Sequence, residues 1–216
     1  MISGKSAGAV RAVGLAFALL LSTTSLAQER RFSADDLPKI VRVGDPQLSP
    51  DGKAVLSVLA RANLKENRWE GELTLINVAT KAQNVLSRRM GVGSARWSPD
   101  GRSIAFLAQD AGGRAQVHVL SMEGGDARQL TNGKTPVTQF AWAPMSDTGV
   151  DPRFQRDVAP NHVGKIEIDF QPDMIIVPCA IKDPKTGKFL LWDGHHTTRV
   201  CDRMGWSHIP VWYTEA

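Results

Sequence analysis

Asp193-Gly194-His195-His196 is the stretch of this chain best suited to hold a ligand. A glycine turn that leads from a strand into a helix leaves unpaired N–H groups at the positive end of the helix dipole, where anions bind. Arg199 follows within one helical turn, and His195, Arg199 and Asp202 fall on one face. Upstream, Gln155-Arg156 supplies an amide and a guanidinium, and Arg156 suits a bidentate phosphate contact. Other readings stay open. Asp-Gly at a strand end also reads as a plain turn, His196 on an apolar stripe also reads as a core residue, and Gln155 and Arg156 also fit a solvated stretch. His195, His196 and Cys201 lack the spacing and acid partners of a metal site, so no metal is predicted. Cys179 and Cys201 are the only cysteines and read as small buried residues.

The elements that must position these residues are legible on either side. Pro160 suits the first turn of a helix, and Val163, Ile166 and Phe170 make its apolar face. Residues 175–181 read as a buried strand, 183–188 as a turn and 189–192 as the returning strand. A helix opens after Asp193 with His196, Val200 and Met204 as its apolar stripe and Gly205 as its stop. Residues 209–212 close the sheet.

The first two thirds are built differently. Leu48-Ser49-Pro50-Asp51-Gly52-Lys53 is echoed by Trp97-Ser98-Pro99-Asp100-Gly101-Arg102. A third copy starts at Phe140-Ala141-Trp142-Ala143-Pro144 and breaks off at Met145. Ser-Pro-Asp-Gly is a strong turn signal: proline presets φ, aspartate bonds nearby backbone and glycine accepts positive φ. Strands are predicted at 54–59, 72–78 and 85–87, and again at 103–107, 115–120 and 128–131. Four short strands per unit, at a spacing of about 45 residues, fit a β-propeller blade. Two blades and a fragment do not close a ring, so this piece should be marginal alone or pair with something else. The expected fold class is mixed: incomplete all-β propeller blades followed by a small α+β domain.

The blades resemble the TolB-type repeat, and most closely the N-terminal propeller of exported prolyl oligopeptidase-family peptidases. The residues carrying this are the two turn motifs, the lead-in Phe32-Ser33-Ala34-Asp35-Asp36-Leu37 and the run Ala127-Arg128-Gln129-Leu130-Thr131-Asn132-Gly133. The resemblance covers roughly 28–144. It implies a gating propeller, with catalysis on a later hydrolase domain carrying a Gly-x-Ser-x-Gly elbow. This sequence has no such elbow, so peptidase activity is not expected of it.

Residues 151–213 resemble the ParB/sulfiredoxin-like domain, especially phage ParB-like nuclease-fold proteins. Pro152-Arg153-Phe154-Gln155-Arg156, Phe170-Gln171-Pro172-Asp173, Asp193-Gly194-His195-His196, and Met204-Gly205-Trp206 followed by Ile209-Pro210-Val211-Trp212 carry the likeness. It implies a pocket for a nucleoside triphosphate or a DNA phosphate, lined by Gln155, Arg156, Asp193, Gly194, His195, His196 and Arg199. The catalytic residues are unknown. Thr197 stands where the family usually has arginine, and Met145–Gly149 stand in place of its leading strand.

Charge follows the same division. Residues 1–144 carry 18 Lys and Arg against 12 Asp and Glu, whereas residues 145–216 carry 8 against 10. The last third has no basic excess with which to attract nucleic acid non-specifically. Lys5 and Arg11, the apolar run from Val13 to Leu21 and Ser25-Leu26-Ala27 read as an export signal cleaved before Gln28. The expected organisation is a signal peptide at 1–27, a partial propeller at 28–144 and a ParB-like domain at 145–216. A protein or peptide partner is expected for the propeller piece. The signal implies the periplasm, and the C-terminal likeness implies the cytoplasm, a combination that points to a chimera.

Overall fold

In the computed structural model, the described residues are 32–150, 153, 163–165 and 177–215. The export signal therefore lies outside them, as do Gln155, Arg156 and the 160–170 helix apart from Val163–Lys165, which are helical with Val163 buried. Two four-stranded antiparallel sheets and one five-stranded sheet make up the described fold.

A short 3-10 helix, Ala34–Lys39, leads into the first blade. That blade runs β1 (Val41–Leu48), β2 (Ala54–Asn63), β3 (Arg68–Asn77) and β4 (Gln83–Ser87), each strand paired with the next. The second repeats it as β5 (Gly93–Trp97), β6 (Ser103–Gln109), β7 (Ala115–Ser121) and β8 (Arg128–Gln129). The repeat holds at the level of single hydrogen bonds. Ser49 Oγ donates to Asp51 Oδ1 at 2.6 Å and accepts the Ala54 N–H at 2.9 Å. Ser98 Oγ does the same with Asp100 and Ser103 at 2.6 and 2.9 Å. Gly52 and Gly101 close these turns at φ 73° and 72°, the left-handed region that glycine enters without steric cost. Both first strands bulge at matching places, with Asp45 at φ 48° and Ser94 at φ 49°. Arg96 ion-pairs with Asp45 and so ties the second bulge to the first.

Alternating side chains bury Leu56 and Leu73 of the first blade against Ala95, Ile104, Phe106 and Leu120 of the second. The opposite face of the second blade, with Ala105, Leu107 and Val117, packs on Val137 and Phe140, and on the half-buried Trp142 and Trp212. The array thus continues past two blades, but with different strands.

Those strands form the third sheet: β9 (Phe140–Pro144), β10 (Thr148–Val150), β11 (Cys179–Lys182), β12 (Phe189–Asp193) and β13 (His208–Glu215), in the order β10-β12-β11-β13-β9. β9, the third copy of the repeat, pairs antiparallel with β13, as β1 pairs with β2 and β5 with β6. The broken blade therefore borrows its second strand from the end of the chain. The helix α1 (His195–Arg203) shares one core with this sheet, where Cys201 lies among Ala143, Ala180, Phe189, Leu191, Ile209 and Val211.

Two expectations change. Residues 145–149 do not replace a strand outright. A 3-10 turn at Met145–Asp147, closed by Thr148 Oγ1 donating to the Met145 carbonyl at 2.8 Å, is followed by Thr148–Val150 as β10, which pairs parallel with β12. The apolar stripe of α1 is rotated as well. Thr197, Thr198, Val200 and Cys201 are its buried residues, whereas Met204, at the C-cap, is 51% exposed and His196 only half-buried. Gly205, at φ 79°, ends the helix as expected.

Candidate functional site

Asp193 ends the interior strand β12, paired with Cys179 of β11, and the chain turns into α1 through Gly194. This N-cap residue has φ 79°, a conformation that favours glycine. A Cβ at Gly194 would lie 2.8 Å from Pro178 Cα, so the close approach at this glycine is made by the chain's own backbone. Asp193 Oδ1 accepts the Gly194 N–H at 2.7 Å, and the Gly194 carbonyl receives both the Thr198 N–H and its hydroxyl. One N–H of the turn is therefore already satisfied, and a carboxylate sits at the mouth of the helix.

His195 and His196 follow with ring centroids 4.0 Å apart and planes tilted by 42°. His195 Nε2 is buried and has no hydrogen-bond partner among the described residues. Asp193, Gly194, His195 and His196 are thus brought together. Arg199 lies one turn further on, where its guanidinium pairs with Asp202 at 3.1 Å on the exposed side of the helix. Of His195, Arg199 and Asp202, expected on one face, the last two are exposed and joined by this ion pair, whereas His195 is half-buried. Gln155 and Arg156 lie outside the described residues.

Burial pushes the Cys179 thiol up to about 11, helped by the negative charge of Asp193, and burial likewise pushes Cys201 up to about 11. Both stay protonated at neutral pH and make poor metal ligands or nucleophiles. Among the described residues no group of three or more His, Cys, Asp and Glu is placed to hold a metal, and no helix is long and apolar enough to cross a membrane.

A second concavity was not legible in the sequence. A cleft of about 730 Å³ separates the turns of the second blade from the β9–β13 edge of the third sheet. Trp142 and Trp206 line it together with charged residues of the second blade. The broken repeat was the available signal, since an interrupted blade leaves a gap beside the last complete one.

No family model matches this chain. It is 32% identical over 121 residues to an uncharacterized peptidase, YuxL, of Bacillus subtilis, a match that covers 56% of this chain and 18% of that protein. Among solved structures, the acylaminoacyl peptidase of Pyrococcus horikoshii aligns at 23% identity and a TM-score of 0.43, covering 50% of this chain and 16% of that one. The chromosome-partitioning protein ParB of Caulobacter crescentus, in complex with CTP-γ-S, aligns at 16% identity and a TM-score of 0.32, covering 36% and 45%. The chain thus spans about a fifth of the length of the peptidase it resembles in sequence, and its described fold is mostly β-sheet with partial propeller-like blades.

Proposed function

We propose that this chain is a non-catalytic binding protein: a propeller fragment completed by a foreign sheet, exported by its N-terminal signal, with no peptidase chemistry of its own. The state of the repeat serines carries this reading. Ser49 and Ser98 are buried, and each hydroxyl donates to an aspartate of its own turn while accepting a backbone N–H. A nucleophilic serine needs a base to take its proton, and these give theirs to a carboxylate two residues away to hold a turn. Treatment of the full chain with a serine-directed fluorophosphonate should leave it unlabelled. A labelled serine would overturn the reading.

A second reading concerns residues 145–216, which we take to bind a nucleoside triphosphate or a DNA phosphate where α1 begins. It is favoured by His195, whose buried Nε2 is unpartnered among the described residues at the N-terminal end of a helix that has no side-chain cap. The Asp193 carboxylate opposes an anion there, so affinity is weak, and Arg156 is the cation expected to offset it. Titration of the full chain with nucleoside triphosphates and with short duplex DNA tests this. Arg156→Ala should weaken binding by about 1.5–3 kcal/mol, as for a hydrogen bond to a charged group. Absence of saturable binding to either, by folded protein, would refute it.

A further inference from the structure

We infer that the cleft between the second blade and the third sheet binds a cationic peptide segment, one with a basic side chain next to an apolar one. At about 730 Å³ it falls within the usual range for ligand sites, roughly 300–1,000 Å³. Trp142, Trp206, Pro99 and Pro210 provide apolar lining from both halves of the chain. Aromatic and proline surface of this kind suits extended peptides and the faces of basic side chains.

The charges select the sign of the partner. Asp100, Glu123 and Asp126 line the cleft against Arg102 and Arg128, an acidic excess in a chain of net charge +4. Asp100 and Arg102 offset each other: the Asp100 carboxyl accepts the Ser98 hydroxyl and the Arg102 N–H, and these bonds with the Arg102 charge hold it below its ordinary range. Arg128 is engaged in an interaction of its own. Glu123 and Asp126 are different. They stand exposed on the β7–β8 turn, and neither carboxylate has an ion-pair partner among the described residues. A guanidinium or ammonium placed between them completes the charge balance, while the apolar neighbour packs on the tryptophan and proline lining. This site is separate from the start of α1, so its failure or success does not depend on nucleotide binding.

The test is calorimetric titration of the full chain with acetyl-Arg-Leu-Arg-Leu-amide and, in parallel, acetyl-Glu-Leu-Glu-Leu-amide. The arginine peptide should bind saturably and more weakly at higher salt. The double variant Glu123→Gln/Asp126→Asn, altered only at exposed turn positions, should keep the thermal midpoint and lose at least tenfold in affinity. Trp206→Phe should retain binding with a smaller loss. Three results would each overturn the proposal: no saturable binding of the arginine peptide to folded protein, equal binding by the double variant, or tighter binding of the glutamate peptide, which would place an anion on Arg102 and Arg128.

Discussion

Trp142 stands opposite Pro210 across the β9–β13 pair. One residue belongs to the third, broken copy of the repeat and the other to the last segment of the chain. Their pairing makes a single sheet out of two stretches of unlike sequence. Although β13 is interior, Pro210 breaks no bond of the β11–β13 ladder, because that pairing begins only at Trp212, two residues later. The Trp142 indole N–H also reaches the Arg96 carbonyl at 3.4 Å, a long bond from this sheet to the second blade.

Removal of that side chain should therefore be felt in both parts. Trp142→Ala is expected to destabilise the chain by about 2–4 kcal/mol, slightly under the usual loss for a fully buried tryptophan, because Trp142 is half-buried. Urea unfolding followed by far-UV circular dichroism measures it. A loss confined to the C-terminal segment, with the blades unaffected, would count against the shared core.

Gly194→Ala should destabilise even without any ligand. The new Cβ meets Pro178 at 2.8 Å and the backbone is at φ 79°. Strain of this kind costs about 1–3 kcal/mol. The thermal midpoint of the variant checks this. A neutral result would mean that Pro178 yields and that the glycine is not required by packing.

His118 predicts an acid-sensitive fold. Its ring is fully buried and stacked on Phe106 at 5.6 Å. Its Nδ1 donates to the Gln116 carbonyl at 3.1 Å, so Nε2 carries the lone pair, and it has no partner among the described residues. Burial lowers its pKa, and the charge of Arg89 adds to this against the Asp110 charge and the Gln116 bond. The unfolded chain then binds the proton more readily than the folded one. Stability from this group is complete above about pH 6.5 and falls as the pH drops toward the lowered folded value. Urea midpoints at pH 7.5 and 5.5 should differ, and His118→Leu should flatten the difference.

Cys179 and Cys201 should resist thiol reagents. With both pushed to about 11, little thiolate exists at pH 8. Ellman's reagent should react slowly with native protein and fully with protein in denaturant. Cys179 is half-buried and Cys201 fully buried, against the expectation of two buried cysteines, and fast reaction of both thiols in the native state would contradict their raised pKa.

Export can be tested through the sequence of the leader. Leu20→Arg places a charge in a short apolar run, which is costly to insert. Processing near Gln28 should stop, and mature protein still recovered outside the cytoplasm would refute the signal.

Local chemistry was enough to read the blades. Ser49, Asp51 and Gly52 make their turn with bonds that span five residues at most, so the motif carries its own geometry, and Ser98, Asp100 and Gly101 repeat it. Strand positions followed from the turns between them, although β2 runs on to Asn63, β3 begins already at Arg68 and β8 is only Arg128–Gln129, and the stop of α1 followed from Gly205. Only the tertiary structure decided what completes the third blade. β13 lies about seventy residues downstream of β9, and an edge strand accepts any partner of compatible register, so nothing local to Phe140–Pro144 names it. The role of Gly194 was decided in the same way. Its sequence context suits a ligand turn, but the atom that needs the missing Cβ belongs to Pro178, brought there by β11. The rotated face of α1 likewise reflects the sheet beneath it, because packing against Ala180 and Leu191 chooses Cys201 over Met204. Turns and periods are set by neighbours along the chain, whereas clefts, borrowed strands and buried faces are set by neighbours in space.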